Sequence, residues 1–599
     1  MKEIYKNIGW YFKQEWKRYI ISFICLVILS VTAVLPAKVL GLVIEEIAES
    51  TITLRMLIIY IVLLLAIPVS RYLVNIVFQY SINKLGLNLS YELRDKYIDH
   101  LFELDASAYA SFTKGDLIAR ATNDLEALTV MATSFLQSVV YNSSVIIFAI
   151  SIMVFTISPL LTLASIAFMP IAIFFLNRMR MKRRTYYKRH HEIYANMTEN
   201  VLESIEGAKT VRAYCKEEDD FKKTKEAIDA DVNSWRYILK FEAFFTPLFE
   251  LIYAVAYFVA FSLGSYMVIT SEITTGDLVT FIMYVGMLNA PLISLSNILN
   301  TINNAGIANT RFDEIMKLKP IVQDEADAKN VINFEKIEFK NVSFKYPFDK
   351  VEVIHNIDLT INKGETIGIV GPTGAGKSTL IRQLLREFNV TSGEVFIDGV
   401  DIKEYKIEDV HNLVGYVPQS HILFQKSVDD NILIGNPRAN NEQIRTAIML
   451  ADFKKDIDDM ARGEATMVGE LGDSLSGGQK QRLSIARALV KDPEILILDD
   501  SLSAVDALTE ATIINNMKIS RKGKTNIIVA HRFSAIYGAD KIIVLQDGRI
   551  TDIGTHRELL SYDNWYKRQY LEQLEGLNIA KSQIRMVLDS KKNRGGADD

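Results

Sequence analysis

The chain has 599 residues, of which 49% are hydrophobic, and its 72 acidic and 67 basic residues leave a formal net charge of −5 at pH 7. This length is enough for about three to four domain-sized units. The hydrophobic fraction is high for a soluble protein and indicates a chain that is part membrane-embedded and part aqueous. The negative charge argues against a nucleic-acid-binding protein, which is expected to carry a basic patch. Only Cys25 and Cys215 are cysteines, so no disulfide framework or cysteine-rich metal site is expected.

The first half of the chain contains six apolar segments, each near the ~20 residues that a membrane-spanning helix needs. They lie at about residues 19–44, 54–82, 129–157, 160–180, 244–269 and 278–302. Lysine and arginine are concentrated in the first 18 residues and in the long links after the second and fourth segments. By the positive-inside rule, the N-terminus and these links are cytoplasmic. Residues 1–317 are therefore predicted to form an all-α transmembrane domain that crosses the lipid bilayer of the plasma membrane six times.

Two ionisable residues, Arg71 and Glu250, interrupt the apolar segments. They leave a soluble helical bundle open as an alternative. Within a bilayer, such residues are costly and usually face a bundle interior or a cavity. A cavity-facing role for Glu250, toward cationic compounds, competes with a plain ion pair between helices and with a side chain that extends to the membrane surface.

The segment Gly371–Ser378 has the sequence GPTGAGKS, follows a predicted strand over residues 365–370 and opens a predicted helix that extends to about Phe388. It matches the P-loop pattern in spacing and in context. In such a loop the backbone N–H groups close around a phosphate chain, Lys377 supplies a positive charge and the Ser378 hydroxyl faces Mg²⁺. The residues expected to bind the phosphates are Gly371, Thr373, Gly374, Ala375, Gly376, Lys377, Ser378 and Thr379.

A second buried strand is predicted at Ile495–Leu498, and two carboxylates, Asp499 and Asp500, follow it. Carboxylates at the C-terminal end of a strand point into the crevice where open α/β sheets bind ligands. Asp499 is therefore expected to coordinate Mg²⁺ directly or to form a hydrogen bond to a group that coordinates the ion.

The segment Leu475–Gln479 has the sequence LSGGQ, which resembles the signature motif of ATP-binding cassette (ABC) transporters. The other motifs of that family follow in the expected order: Tyr346, Gln419 within residues 417–419, an exporter-like segment at residues 466–470, residues 503–506 and His531. One position departs from the family pattern, because Asp500 stands where the catalytic glutamate is expected.

The resemblance implies a role for each motif. In the family, two ABC domains enclose two ATP molecules, each between the P-loop of one chain and the signature of the other. Tyr346 would stack on adenine, Gln419 would contact Mg²⁺ and the attacking water, and His531 would contact the γ-phosphate. Asp500, Gln419 and His531 form the implied catalytic set, and Ser378, Gln419 and Asp499 the implied metal ligands. Ser476, Gly477, Gly478 and Gln479 would act on the ATP bound to the partner.

The resemblance also implies a domain order. A linker is expected at residues 318–330, an α/β P-loop NTPase domain with a helical subdomain at 331–576, and a C-terminal tail at 577–599. Residues 105–125 and 203–220 resemble the coupling regions that link the two domains in exporters.

The chain is thus predicted to be half of an ATP-driven exporter of hydrophobic or amphipathic compounds. Asp500 favours a heterodimer, as in the degenerate-site subunits of bacterial multidrug exporters, with a second half-transporter that carries the glutamate. A homodimeric lipid or peptide exporter is one alternative, and a regulatory ABC protein that does not transport is another.

Overall fold

The computed structural model of the protein describes residues 2–347, 349–469 and 472–575. The chain divides into two compact units, of which the first comprises Met1–His100 with Gly115–Lys317. The second comprises Leu101–Lys114 with Leu318–Asp599. The described residues of the first unit form helices and turns and no strand, whereas the second unit contains both helices and strands. The predicted C-terminal tail lies outside the described residues.

Long helices dominate residues 2–316. They are α1 (Lys2–Gln14), α2 (Trp16–Ala48), α3 (Leu54–Glu103), α4 (Ala106–Ala110), α5 (Lys114–Ala119), α6 (Leu125–Leu136), α7 (Asn142–Ile152), α8 (Pro159–Ile166), α9 (Phe168–Glu206), α10 (Ala208–Ala213), α11 (Glu217–Ile269), α12 (Thr275–Met287) and α13 (Asn289–Met316). Three π-helical turns, at Arg120–Asp124, Gln137–Tyr141 and Met153–Ile157, keep α5, α6 and α7 in one helical stretch.

Four helical stretches of the described chain are long and apolar enough to cross a membrane. They are Trp16–Ala48, Leu54–Glu103, Lys114–Ile157 and Thr275–Met316, and Tyr253–Ile269 is a shorter apolar helix. The fourth predicted span, 160–180, is divided between α8 and α9, and the side chains of residues 168–177, 179 and 180 lie outside the description. The number of six spans therefore stays a prediction. At 1.5 Å per residue, the 50 residues of α3 extend about 75 Å, well beyond a bilayer core of about 30 Å.

The core of the first unit forms where α2 and α12 approach closely. A Cβ atom at Gly276 would lie 2.2 Å from the carbonyl oxygen of Gly41, so only glycine fits at this crossing. Below it, Phe281 and Tyr284 of α12 are fully buried among side chains of α2, α7 and α11. Lys38 and Asp277, 3.1 Å apart, close the same interface with an ion pair.

The second unit contains two β-sheets. Its strands are β1 (Lys336–Phe344), β2 (Ile354–Asn362), β3 (Thr366–Val370), β4 (Ser392–Ile397), β5 (Val400–Asp401), β6 (Val414–Val417), β7 (Ile495–Asp499), β8 (Thr525–Val529), β9 (Lys541–Gln546) and β10 (Arg549–Gly554). One antiparallel sheet has the order β2-β1-β4-β5, and the larger sheet has the order β10-β9-β3-β8-β7-β6. The larger sheet is parallel except for β10, which pairs antiparallel with β9.

Helices cover the larger sheet, as the buried side chains of its parallel strands require. The α-helices after residue 318 include α14 (Lys377–Leu384), α15 (Ile407–Leu413), α16 (Val428–Leu433), α17 (Asn441–Leu450), α18 (Lys454–Asp459), α19 (Gly477–Leu489), α20 (Ala507–Ser520) and α21 (His556–Leu560). All five residues of β7 and all five of β8 are buried. Helices α16 to α19 form a helical subdomain packed around Phe453 and Leu483.

The predicted end of the P-loop helix was wrong. The helix stops at Leu384 rather than at Phe388, because Arg386 adopts a left-handed backbone with φ of +51°. The buried Arg386 guanidinium donates to the carbonyl oxygens of Tyr405 at 2.5 Å and Gln323 at 2.9 Å. These contacts with residues distant in the sequence end the helix, and the neighbouring residues give no signal that predicts them.

Candidate functional site

Four neighbouring parallel strands bring the predicted site residues to one edge of the larger sheet. Strand β8 lies between β3 and β7, with Val529 opposite both Ile369 and Asp499. Strand β6 pairs with β7 on its other side, with Val417 opposite Leu498. The P-loop follows β3, Gln419 follows β6, and His531 follows β8. All three therefore leave the sheet at the edge where Asp499 ends β7, which is where open α/β sheets bind ligands.

The P-loop backbone has room only for glycine at two positions. A Cβ atom at Gly371 would lie 2.0 Å from the carbonyl oxygen of Leu545. At Gly376 it would lie 2.9 Å from the Ile354 side chain, and φ there is +92°. Gly374 is different, because the space around it is open and its φ of +82° is what requires glycine. These glycines give the loop the tight backbone turn that a phosphate cradle needs.

The Lys377 side chain forms hydrogen bonds to the backbone of the P-loop. Its buried ammonium group donates to the carbonyl oxygens of Gly371 and Pro372, each at 2.9 Å. Burial lowers the pKa of Lys377, while the negative charges of Asp500 and Asp499 oppose that shift.

Asp499 and Ser378 form the centre of the candidate metal site. The Ser378 hydroxyl donates to Oδ1 of Asp499 at 3.0 Å, and the Tyr416 hydroxyl donates to Oδ2 at 3.4 Å. Burial raises the pKa of Asp499, and the hydrogen bonds from Ser378 and Tyr416 oppose that shift. Burial also raises the pKa of Tyr416 to about 12. A hydroxyl and a carboxylate beside a phosphate cradle are the oxygen ligands that Mg²⁺ takes when it binds with a nucleotide, so the residues fit that ion.

Asp500 and His531 lie together at the end of the strands, where both line one small pocket with Ser501 and Glu510. Asp500 has a left-handed backbone with φ of +47°, and its N–H donates to the carbonyl oxygen of Val529 at 3.0 Å. His531 is exposed, and its carbonyl oxygen accepts a hydrogen bond of 2.7 Å from the Gln573 side chain. Gln419 is exposed as well.

Tyr346 lies against the helix that follows the P-loop. Its hydroxyl and that of Thr379 are 3.1 Å apart. Its half-buried ring packs edge-on against Phe344 and Phe388, with ring centroids 5.0 and 5.4 Å away. An aromatic ring is thus held beside the phosphate loop, where a base can stack on it.

The signature residues form the N-terminus of α19. Ser476 caps the helix in a capping box with Gln479. Gly477 and Gly478 lie beside the 503–506 segment, where Cβ atoms added to them would be 3.7 Å from the Ala504 side chain and 3.4 Å from its carbonyl oxygen. In the described chain their hydrogen bonds and near neighbours belong to this segment and the helical subdomain.

Three residues that support these motifs were not predicted. Asp456 of α18 accepts from Gln479 at 3.2 Å and from Arg482 at 2.8 Å, so it anchors the first turn of α19. Gln481 accepts from the backbone N–H of Ala504 at 3.0 Å and joins α19 to the 503–506 segment. The buried Glu510 accepts from Ser534 at 2.5 Å and from Arg532 at 3.3 Å. Gln481 and Glu510 stand within a few residues of the motifs in the sequence, whereas Asp456 is brought to the signature only by the fold.

Both halves of the chain match models of known protein families. The family model of the ABC transporter transmembrane region matches residues 19–292, and that of the ABC transporter matches residues 354–503. The chain is 36% identical over 576 residues to the probable multidrug resistance ABC transporter ATP-binding/permease protein YheI of Bacillus subtilis, covering 96% of this chain and 98% of that protein. The chain belongs to the ABC transporter family.

Two further relatives agree with this ABC transporter assignment. The multidrug resistance-like ATP-binding protein MdlA of Escherichia coli is 32% identical, with 96% of this chain and 97% of that protein covered. A solved structure of a bacterial Atm1-family ABC exporter with ATP bound matches with a TM-score of 0.77 and 25% identity, over 93% of this chain and 99% of that chain. The predicted fold class is confirmed. The protein is a multi-pass membrane transporter with an ATP-hydrolysing domain, and its family works as dimers.

Replacing Asp456 with alanine is expected to slow ATP hydrolysis about tenfold, because Gln479 and Arg482 lose the carboxylate that holds the signature helix, and hydrogen bonds to charged groups are worth about 1.5–3 kcal/mol. ATP affinity should stay unchanged, because the P-loop keeps its contacts. The control is Asp458→Ala on the same helix, whose exposed carboxylate contacts only Lys454 among the described side chains. Equal rates in the two variants would contradict a role for Asp456.

Proposed function

We propose that the chain is one half of a heterodimeric exporter that moves hydrophobic or amphipathic compounds out of the cytoplasm or the inner leaflet. The observation that carries the proposal is Asp500, which stands in place of the expected glutamate next to an intact P-loop and an intact signature. The names of the relatives YheI and MdlA, both multidrug resistance proteins, support the class of cargo.

The P-loop and its surroundings would bind ATP. The backbone N–H groups of Gly371 and residues 373–379 and the Lys377 ammonium would hold the phosphates, and Tyr346 would stack on adenine. Ser378, Asp499 and Gln419 would hold Mg²⁺, which supplies positive charge against the phosphate oxygens. His531 would donate to the γ-phosphate, and Ser476–Gln479 would complete the ATP site of the partner.

Asp500 makes the two sites of the dimer unequal. Aspartate is shorter than glutamate by one methylene group, which withdraws the carboxylate by roughly 1 Å, and a misplacement of that size can cost about 10²-fold in rate. A homodimer would carry this defect twice. A partner chain with glutamate at the matching position would supply one fast site, which is completed by the signature of this chain.

The N-terminus and the ABC domain are proposed to lie in the cytoplasm. The basic residues of the first helix and of the long cytoplasmic links support this orientation. Helices such as α3 and α11, which are much longer than a bilayer is thick, would then carry movement from the ATP sites to the spans.

Inverted membrane vesicles test the proposal in one experiment. In such vesicles the cytoplasmic face is outside, so added ATP should drive uptake of a fluorescent hydrophobic dye. We expect uptake when this chain is produced together with a half-transporter that carries the glutamate. This chain alone should give neither uptake nor rapid ATP hydrolysis.

Two outcomes of the vesicle experiment would contradict the proposal. Rapid hydrolysis and uptake by this chain alone would indicate a homodimeric exporter. ATP hydrolysis by the pair without movement of dyes, lipids or peptides would instead indicate a regulatory protein. Lys377→Ala in this chain, combined with replacement of the P-loop lysine of the partner, is the control for uptake that does not depend on ATP.

A further inference from the structure

A cavity of about 400 Å³ lies between α2, α3 and the helical stretch of residues 114–157 in the first unit. This volume is within the range of small-molecule binding sites. The floor is apolar and is formed by the buried side chains of Leu26, Leu29 and Phe78. The rim is polar and carries Arg71, Asn75, Gln137 and Tyr141. An apolar floor with a polar rim suits an amphipathic molecule.

The sequence and the backbone both direct the polar groups toward this cavity. On α3, the lining residues follow the three-to-four-residue period of one helix face; they are Pro68, Arg71, Tyr72, Asn75 and Phe78. Opposite them, Gln137 and Tyr141 are the first and last residues of a π-helical turn. Such turns are rare and occur frequently at functional sites.

Arg71 brings a positive charge to the cavity. Its guanidinium donates to the Tyr141 hydroxyl at 2.9 Å, and among the described residues no carboxylate lies within ion-pair distance of it. Arginine stays protonated in proteins, and a charge within a membrane span is costly unless it is paired. The guanidinium has five N–H donors in a planar fork, so a single neutral hydroxyl leaves most of them available for an anion.

We propose that this cavity binds the anionic head group of an amphipathic molecule. A carboxylate, sulfonate or phosphate would pair with Arg71 and accept the Tyr141 O–H, while the apolar part would rest on Leu26, Leu29 and Phe78. Asn75 and Gln137 add amide donors beside it. The guanidinium repels cations, so the site selects against the cationic drugs considered for Glu250, which does not line this cavity. The anion is either cargo, which rests on the proposed export function, or a membrane lipid.

The test uses two fluorescent probes that differ by one charged group. 1-Anilinonaphthalene-8-sulfonate is an anionic amphipath, and N-phenyl-1-naphthylamine is the same skeleton without the sulfonate. Both are titrated into the full transporter, with its partner chain, in phosphatidylcholine nanodiscs without ATP, and the signal of empty nanodiscs is subtracted. Arg71→Gln should weaken binding of the sulfonate about tenfold or more and change binding of the neutral probe less than twofold.

Three further variants separate a binding role from a structural one. Arg71→Lys keeps the charge but loses the planar guanidinium group, and Tyr141→Phe loses the hydroxyl. Each change should weaken binding of the sulfonate probe several-fold. Arg55→Gln removes a charge from the same helix outside the cavity and should change the binding of neither probe. Unchanged sulfonate affinity in both Arg71 variants, or equal losses for both probes, would overturn the proposal.

Adding phosphatidylglycerol to the nanodiscs identifies the source of the anion. If it weakens sulfonate binding to the unmodified transporter but not to Arg71→Gln, the head group of an anionic lipid occupies the site. If it weakens both equally, only surface charge has changed, and a free amphipathic acid is the ligand. Because binding is measured without ATP, Arg71-dependent binding would stand even if the vesicles failed to export.

Discussion

Replacing Gly478 with glutamate is expected to lower ATP hydrolysis by the assembled transporter more than a hundredfold. The N–H groups at the start of α19 would approach the γ-phosphate of the partner-bound ATP, and each such donor is worth ~3 kcal/mol or more. A carboxylate at this position blocks that approach and repels the phosphate. The rate should fall at the site with the competent glutamate, which carries most of the turnover on the proposed function.

The local fold should tolerate the Gly478→Glu substitution. A Cβ atom at Gly478 would lie 3.4 Å from the carbonyl oxygen of Ala504 and 3.8 Å from the Val505 side chain, which are ordinary contacts. The matched control is Gly538→Glu, which adds the same side chain in the same unit at a position with open space around it. This control should keep its activity and its thermal unfolding temperature. Similar losses in both variants would indicate an effect of charge or stability rather than of the signature.

Asp500→Asn provides the contrast. It removes a carboxylate from a site whose activation free energy is already about 2.7 kcal/mol too high. This value corresponds to the hundredfold loss of rate expected from the missing methylene. The complex should therefore keep most of its steady-state hydrolysis, and Lys377 and Tyr346 should keep nucleotide bound at this site for longer. If Asp500→Asn silences the complex as completely as Gly478→Glu, the site of this chain is catalytic and the asymmetric proposal is wrong.

The motifs that could be predicted from the sequence are those that depend on a few consecutive residues. The glycines of the P-loop, the apolar strand before Asp499 and the LSGGQ signature at Leu475–Gln479 are short patterns of consecutive residues. The fold class was predicted for the same reason, since apolar segments of about 20 residues and an ordered set of nucleotide motifs are both local signals.

Features that depend on distant contacts could not be predicted. The helix after the P-loop ends early because Arg386 reaches the carbonyl oxygens of Gln323 and Tyr405. Asp456 stands among other charged residues of α18, and only the packing of the helical subdomain directs it to Gln479 and Arg482. The pairing of Arg71 with Tyr141 likewise joins residues that are 70 positions apart in the sequence.

In a transporter that already carries Gly478→Glu, replacing Asp500 with glutamate is expected to raise ATP hydrolysis about a hundredfold. The first change silences the site of the partner, so the remaining turnover reports on the site of this chain. The second change lengthens the side chain by one methylene group, which places the carboxylate where the expected glutamate would have it. The measurement is steady-state hydrolysis by the single and double variants, each assembled with an unmodified partner chain.

The backbone at Asp500 should accept glutamate, because its N–H bond to the Val529 carbonyl oxygen does not involve the side chain. The left-handed φ of +47° favours aspartate slightly, so the thermal unfolding temperature of the double variant should fall only a little. Asp500→Gln is the matched control, since it has the same length without the carboxylate and should restore nothing. If glutamate restores no more hydrolysis than glutamine does, the length of the Asp500 side chain does not limit this site.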